Sequence, residues 1–558
     1  MQTTRRTLLQ MLGALGLGST VQAAGCSDDA PATGGDAGLG GDAGGDAGLG
    51  SDAGDAAMAS DVPPEPTTLF RHGVASGDPT PEAVIVWTRV TALAGARLDP
   101  TVEVRYEVAR DTAFTMMVTS GAFNTTAERD YTVKVDLTGL SPATTYYYRF
   151  RALGMVSPVG RTRTAPRGEV AQVRLGVVSC SSMGHGYFHV YRSLARRLDL
   201  DAIVHLGDYI YEYGTRQYGG VREYDPPTEI TTLSDYRRRY AHYRRDPDLQ
   251  ALHQQTPFIV TWDDHESADN SYSEGAENHT PSTEGAWSAR KAAAIQAHRE
   301  WMPIREHETP GRIWRKLAYG DLVDLILLDT RLWGRPLQVN NADAGLTDPA
   351  RQLLGADQEQ WFFQEVSTSR ARWKVVAQQV MMGQLVQLLN SDQWDGYPAA
   401  RQRFFSLLRA MMVQNVVVLT GDIHTSWAIE LTETPQDSMS YDPATGRGAL
   451  AVEFVYPGVT SPGFPQVIAN TVLPQVMRES RHVKFVDLVR RGYGILDITP
   501  TRLQSALYLH VDGETARPSP TDAAFATAWS VAHNSAHLVQ DQAAAPAPSA
   551  VPPAAPTP

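Results

Sequence analysis

Cysteine is nearly absent: two occur in 558 residues, Cys26 and Cys180. A disulfide scaffold is thereby excluded, and each thiol needs its own explanation. Long apolar runs are missing as well. The segment Met11 to Val21 is too short to span a bilayer stably, and no other segment has the length and purity of a membrane helix. Basic charge is in deficit, with 49 Lys and Arg against 62 Asp and Glu and a net charge of −13. That disfavours a nucleic-acid-binding role, which demands a basic footprint, although part of the negative charge sits in an Asp-rich linker. There is no Gly-x-Ser-x-Gly elbow, Walker loop or dinucleotide glycine fingerprint, which sets aside serine-nucleophile, P-loop and Rossmann-type chemistry.

What is present is ordinary globular material, 42% hydrophobic and 20% charged, in a chain long enough for two or three domains. Residues 1–25 read as an export signal. Thr4-Arg5-Arg6-Thr7-Leu8-Leu9-Gln10 resembles a twin-arginine motif, and Ala23-Ala24-Gly25-Cys26 resembles a lipobox, so Cys26 is expected to be lipidated. Residues 26–66 form a Gly/Asp-rich tether in which the heptad at 34–40 recurs at 44–50. Such a segment is expected to hold a folded body away from a lipid surface.

Residues 67–166 carry short β-branched strands. The tyrosine-rich run Thr145 to Phe150 follows a Gly-Leu-x-Pro turn, which predicts the tyrosine corner of an immunoglobulin- or fibronectin-like sandwich. Residues 171–510 alternate apolar strands with helical patterns, an α/β layer architecture. Ser234 is the expected cap of one such helix. The basic stretch Tyr236-Arg237-Arg238-Arg239-Tyr240 within it is expected to be a solvated face. Residues 511–558 are expected to be an extension ending in a disordered Ala/Pro tail.

Four apolar runs of that α/β region end in metal-capable side chains. Val173 to Ser179 ends at Cys180, and Ala202 to Leu206 at Gly207-Asp208. Phe258 to Thr261 ends at Trp262-Asp263-Asp264-His265-Glu266, and Val416 to Thr420 at Gly421-Asp422-Ile423-His424. Strand ends of an α/β sheet share one rim, where such folds place ligands. Carboxylates suit hard cations, imidazole suits borderline ones, and a thiolate with a phenolate favours an oxidised iron. Adjacent cations of this kind polarise a phosphoryl group and activate water for in-line attack. His205, inside its strand, reads as a core residue, and His185 and His189 as loop and helix-start residues.

Gly207-Asp208-Tyr209-Ile210-Tyr211-Glu212, Trp262 to Glu266 and Gly421 to Trp427 resemble the PhoD-type alkaline phosphatases of the calcineurin-like metallophosphoesterase superfamily. The likeness extends over most of residues 67–510. It implies a mixed-sheet metallophosphoesterase sandwich flanked by helices, preceded by an all-β immunoglobulin/fibronectin-like domain. It also implies a centre of Fe3+ and Ca2+. By position, Cys180 and Tyr211 match the iron-binding thiolate and phenolate, and Asp208 the bridging carboxylate. Asp264, Asp422 and His424 match further metal ligands. His265 matches the histidine that protonates the leaving alkoxide or steadies the phosphate. Asn270 is placed within reach of the phosphate, while Tyr209, Glu212, Asp263 and Glu266 are expected behind the ligands. Two features depart from the wider superfamily: Ser179-Cys180 replaces Asp-x-His, and Gln378-Gln379 stand where a ligand histidine is common.

The resulting expectation is an exported, lipid-anchored, monomeric phosphoesterase at the periplasm or cell surface. It would take a small phosphorylated substrate and use a metal-bound hydroxide to attack phosphorus. Two alternatives remain open here: a phospholipase D-like or teichoic-acid phosphodiesterase, and a non-catalytic surface adhesion protein.

Overall fold

The apolar runs that end at residues 180, 208 and 263 form neighbouring parallel strands, Val173–Val178, Ala202–His205 and Phe258–Val260. Their side chains are buried on both faces, which is why they read as continuous hydrophobic stretches rather than alternating ones. The computed structural model describes residues 67–339, 344–385, 390–510 and 521–557. The signal segment, Cys26 and the tether therefore lie outside the described residues.

These three strands sit near the middle of a ten-stranded mixed sheet. Its order is Leu538–Asp541, Ala524–Ala532, Arg502–Leu509, Gly492–Ile498, Val173–Val178, Ala202–His205, Phe258–Val260, Val74–Gly77, Val84–Arg89 and Thr132–Leu137. A second, seven-stranded sheet runs Arg315–Tyr319, Val323–Leu327, Trp373–Ala377, Val416–Thr420, Ala451–Val455, Ser426–Leu431 and Val483–Asp487. The sheets pack face to face: Val177, Val204, Leu206 and Ile259 of the first share one core with Leu325, Val375, Val417, Leu419 and Phe454 of the second. On its outer face the first sheet is covered by helices His189–Ala195, Leu233–Tyr243, Pro247–Gln255 and Trp287–Trp301. Four strand ends therefore do converge, but on the facing rims of two sheets. The Val416–Thr420 strand belongs to the second sheet, so the single rim expected from sequence is corrected.

The N-terminal region is β-rich, as anticipated. Met117–Thr126, Thr101–Ala109, Thr145–Ala152 and Met155–Val156 form a separate sheet, with Gly160–Arg163 paired to Thr145–Ala152. The tyrosine corner is present: the Tyr146 hydroxyl accepts from the Ser141 amide at 2.8 Å. The other three N-terminal strands, Val74–Gly77, Val84–Arg89 and Thr132–Leu137, instead extend the large sheet, so the module is fused to the body rather than strung beside it.

Three local expectations are overturned. The Leu233–Tyr243 helix is capped by Thr232, not Ser234, through a reciprocal box with Asp235. Of the stretch read as a solvated face, Arg238 is exposed and Arg237 half-buried, but Tyr236 and Tyr240 are buried against helix Trp287–Trp301 and Arg239 against the carbonyls of Tyr211, Tyr213, Pro226 and Thr228. The C-terminal segment is not a loose tail. Ala524–Ala532 and Leu538–Asp541 complete the large sheet, and the Ala/Pro stretch after them lies along the body. Gln504 holds Ala543 and Ala545, Arg174 holds Pro546 at 2.8 Å, Tyr147 holds Pro553 at 2.7 Å, and Gln254 and Gln255 hold Pro556 and Ala555. Proline fixes φ and lowers the entropy lost on docking, so a sequence that looks disordered by composition can still be bound in place.

Candidate metal centre

Three of the four strand ends are turned sharply toward one another. Cys180, Asp208, Asp422 and His424 have φ of 60°, 56°, 63° and 58°, left-handed values that non-glycine residues hold only under constraint. The constraint is visible. The amides of Cys180 and Ser181 donate to the carbonyls of Gly207 and Asp208 at 3.1 and 2.9 Å. Gly207, at φ 114°, allows the approach of the third strand end: a Cβ there would lie 2.5 Å from both the Cβ and the amide nitrogen of Asp263. Glu266 ties the turns together, its carboxylate accepting from the amides of Asp208, Tyr209 and Asp263 at 3.0, 2.7 and 2.8 Å.

The donor atoms fall into three overlapping sets, each with all atoms within 4.8 Å of one another: Cys180, Asp208 and His424; Asp208, Asp264 and His265; Asp263, Asp264 and Asp422. Asp208 and Asp264 each belong to two sets, so the geometry offers adjacent positions for more than one cation. Tyr211 completes the group. Its hydroxyl donates to Asp208 Oδ2 at 2.9 Å and lies 3.4 Å from His424 Nε2 and 2.6 Å from Ser461 Oγ. Cys180, Asp208, Tyr211, Asp264, His265, Asp422 and His424 are thus brought together.

The supporting residues divide. Tyr209 turns away to His253, 2.8 Å from its Nε2. Glu212 binds His265 Nδ1 at 2.7 Å and also accepts from Asp269 and Asn278. Asp263 stands inside a donor set, beyond the supporting place expected for it. Asn270 gives its amide N–H to Asp264 at 2.7 Å but its side-chain NH2 to Glu277 at 2.9 Å, so its terminal donor is engaged away from the centre. Gln378 and Gln379 bond Thr420, Thr330 and backbone carbonyls in the interior. His205 is a core residue paired with Tyr191 at 2.9 Å.

Sequence reasoning missed Arg331. Fully buried, it reaches Asp263 at 2.5 Å, Asp422 at 2.7 Å and both oxygens of Asp392 at 2.9 Å, and stands 3.7 Å from Asp264. Arg335 binds Asp392 from behind at 2.5 Å. One guanidinium therefore sets the spacing of three carboxylates, which suits its planar fork. Asp392 and Ser461 were likewise unmarked in the sequence.

Electrostatics show a centre overloaded with negative charge. Burial and the surrounding carboxylates push the Asp208 carboxyl up, and burial and Asp208 do the same to the Cys180 thiol. Asp422 is pushed up to about 6 by burial against the pull of Arg331. Asp264 goes the other way: burial opposes it, but Arg331 and His265 hold its carboxyl well below the usual range. Burial is outweighed at His265 by Asp264, Glu212 and Asp208, which raise the imidazole well above the ordinary histidine value. Burial lowers His424 to about 4, leaving a neutral imidazole fit to bind a cation. Asp208 Oδ1 and Asp263 Oδ2 are buried without a hydrogen-bond donor. Buried anionic oxygens without donors, beside a buried thiol and a neutral imidazole, are the donor set that cations complete.

Comparison with known proteins places this arrangement. A lupin-seed purple acid phosphatase shares the two-sheet fold, with a TM-score of 0.52 at 12% identity over 81% of this chain and 73% of its own. The solved structure of PhoD is more similar, with a TM-score of 0.77 at 33% identity over 88% of this chain and 95% of its own. Alkaline phosphatase D of Bacillus subtilis is 37% identical over 455 residues, 77% of this chain and 76% of that protein. The class is thus that of the phosphatases. The family model for PhoD-like phosphatases matches residues 175–507, and the model for the PhoD-like N-terminal domain matches 56–166. The chain belongs to the PhoD-like phosphatase family, and it is a phosphatase hydrolase. Among the described residues no helix is long and apolar enough to cross a membrane.

Proposed function

We propose that the chain is an exported, metal-dependent phosphoesterase acting on phosphate monoesters or diesters at the centre just described. The observation that carries this reading is the convergence of two donor sets, Cys180 with Asp208 and His424, and Asp263 with Asp264 and Asp422, whose Asp208 and Asp264 carboxylates lie within 4.8 Å of each other. Cys180 and Tyr211 suit an oxidised iron, Asp208 suits a bridge, and Asp264 and Asp422 suit a hard ion such as calcium, with His424 completing the set. Cations held by these residues would supply Lewis-acid polarisation of a phosphoryl group and a lowered pKa for water. His265, held by Glu212 through Nδ1, keeps Nε2 for the proton that the departing oxygen takes up. Arg331 holds the carboxylates apart at the separation that cations need. Export and lipid attachment at Cys26 are part of the same proposal and rest on the N-terminal sequence.

The test is hydrolysis of a chromogenic phosphomonoester and the matching diester, with and without chelator, alongside metal analysis and a visible spectrum. A chelator-sensitive enzyme with iron and a phenolate-to-iron absorption band supports the proposal. Full activity in a colourless, metal-free protein refutes it. The ratio of the two rates decides between monoester and diester.

A further inference from the structure

Tyr211 has one hydroxyl hydrogen, and it goes to Asp208 Oδ2 at 2.9 Å. A carboxylate is the strongest acceptor within reach of the phenol, so it keeps that hydrogen. Ser461 Oγ lies 2.6 Å from the same phenol oxygen. With the phenolic hydrogen spent on Asp208, this short contact is a hydrogen bond given by Ser461. The remaining bonds of Ser461 agree. Its Oγ accepts from the Ser182 amide at 3.4 Å, which leaves the hydroxyl hydrogen for Tyr211.

The turn that carries Ser461 is strapped to the residues on either side of Cys180. The Val459 amide donates to the Ser179 carbonyl at 2.9 Å, and the Ser461 amide to the Cys180 carbonyl at 3.2 Å. Thr460 Oγ1 donates to the Ser182 carbonyl at 2.7 Å. Gly458 makes room for the turn: a Cβ there would lie 2.7 Å from the Ser461 carbonyl oxygen and 3.2 Å from its Cβ. The Ser461 hydroxyl is fully buried and keeps a fixed place relative to the thiol. The Tyr211 ring is held too. His265 stacks on it at 4.1 Å between centroids, and Tyr218 lies 5.5 Å away with the planes 14° apart.

We propose that Ser461 is a positioning residue of the metal centre, its hydroxyl giving a hydrogen bond to the Tyr211 oxygen and so placing and tuning that oxygen as an iron ligand. The inference rests on the proposed binding of iron by Cys180 and Tyr211. A phenolate oxygen that accepts a hydrogen bond donates less electron density than one that does not. Iron bound to it is easier to reduce, and the phenolate-to-iron absorption lies at higher energy.

The test compares wild type, Ser461→Ala and Ser461→Thr by visible spectrum, iron reduction potential and iron retention against a chelator. In Ser461→Ala the band is expected at longer wavelength and the potential more negative, with iron held about ten- to a hundredfold less tightly. Ser461→Thr keeps the hydroxyl and should keep the wild-type band. The wild type alone gives a second reading, which decides if Ser461→Ala does not fold. Exchange into D2O should shift the C–O stretch of the iron-bound phenolate in the resonance Raman spectrum. A serine that only supports the fold would lower the unfolding midpoint and leave band and potential in place; that result, or an unshifted stretch, overturns the proposal. A wild type without an iron band removes the iron assignment itself, and the proposal falls with it.

Discussion

At the scale of the residue, Asp208 and His265 illustrate opposite uses of charge. Asp208 is a carboxylate that burial and its neighbours discourage from ionising, so it needs a cation to be useful. Asp208→Ala is expected to lower turnover by about a thousandfold or more, with loss of bound metal measured alongside and the fold retained by circular dichroism. His265 is held as an imidazolium above its ordinary range. Its contribution is fully present below about pH 6.5 and is lost as the pH rises through its raised folded value. Glu212→Gln removes the carboxylate 2.7 Å from Nδ1 and should move the alkaline limb of the kcat profile down by roughly one unit. An unmoved limb would remove His265 from the proton-donating role. Among individual residues, Cys180, Asp208, Asp422 and His424 were legible because each directly follows an apolar strand. Arg331 was not, because its partners lie 61, 68 and 91 positions away and no local pattern marks them.

Elements here serve to deliver side chains to turns. The strand Ala202–His205 leads into Gly207, where a Cβ would collide with the backbone of residue 263. Gly207→Ala is expected to cost more than about 2 kcal/mol and to abolish activity, since it must push Asp208 and Asp263 apart. Chemical denaturation and a turnover assay check both. The helix Leu233–Tyr243 works from behind: its Arg239 binds the carbonyls of Tyr211, Tyr213, Pro226 and Thr228 and so holds the loop that carries Tyr211. Removing its cap with Thr232→Ala should cost about 1 kcal/mol. The strand runs were readable from their unbroken apolar character. The buried face of this helix was not, because Arg239 looks as solvated as its neighbour Arg238 until the loop carbonyls of Tyr211, Tyr213, Pro226 and Thr228 close on it.

For the whole molecule, stability and metal content are linked through pH. Asp422 is pushed up to about 6, and Glu266 and Asp269 to about 7. These three carboxyls bind more protons in the folded, metal-free protein than in the unfolded chain, so their own contribution to stability falls as pH rises from about 4 to about 7, against the opposite contribution of buried histidines such as His205 and His298. Cations restore what deprotonation removes, so the gain in unfolding midpoint on adding metal should be larger at pH 8 than at pH 5, with protons released on binding. An equal gain at both pH values contradicts the charge overload. The C-terminal stretch makes a separate claim at this scale. Ending the chain at Gln542 removes the bonds to Arg174, Tyr147, Gln254 and Gln255 and should lower the unfolding midpoint while leaving kcat unchanged. Local patterns alone determined the strands, the tyrosine corner, the candidate ligands and the likeness to a phosphatase family, because periodicity and strand-terminal residues are properties of neighbours in the chain. Only the tertiary structure decided that two sheets share the centre, that Arg331 spaces its acids and that the Ala/Pro stretch is bound. Those facts depend on contacts across tens to hundreds of positions, where burial, rather than composition, sets what a side chain does.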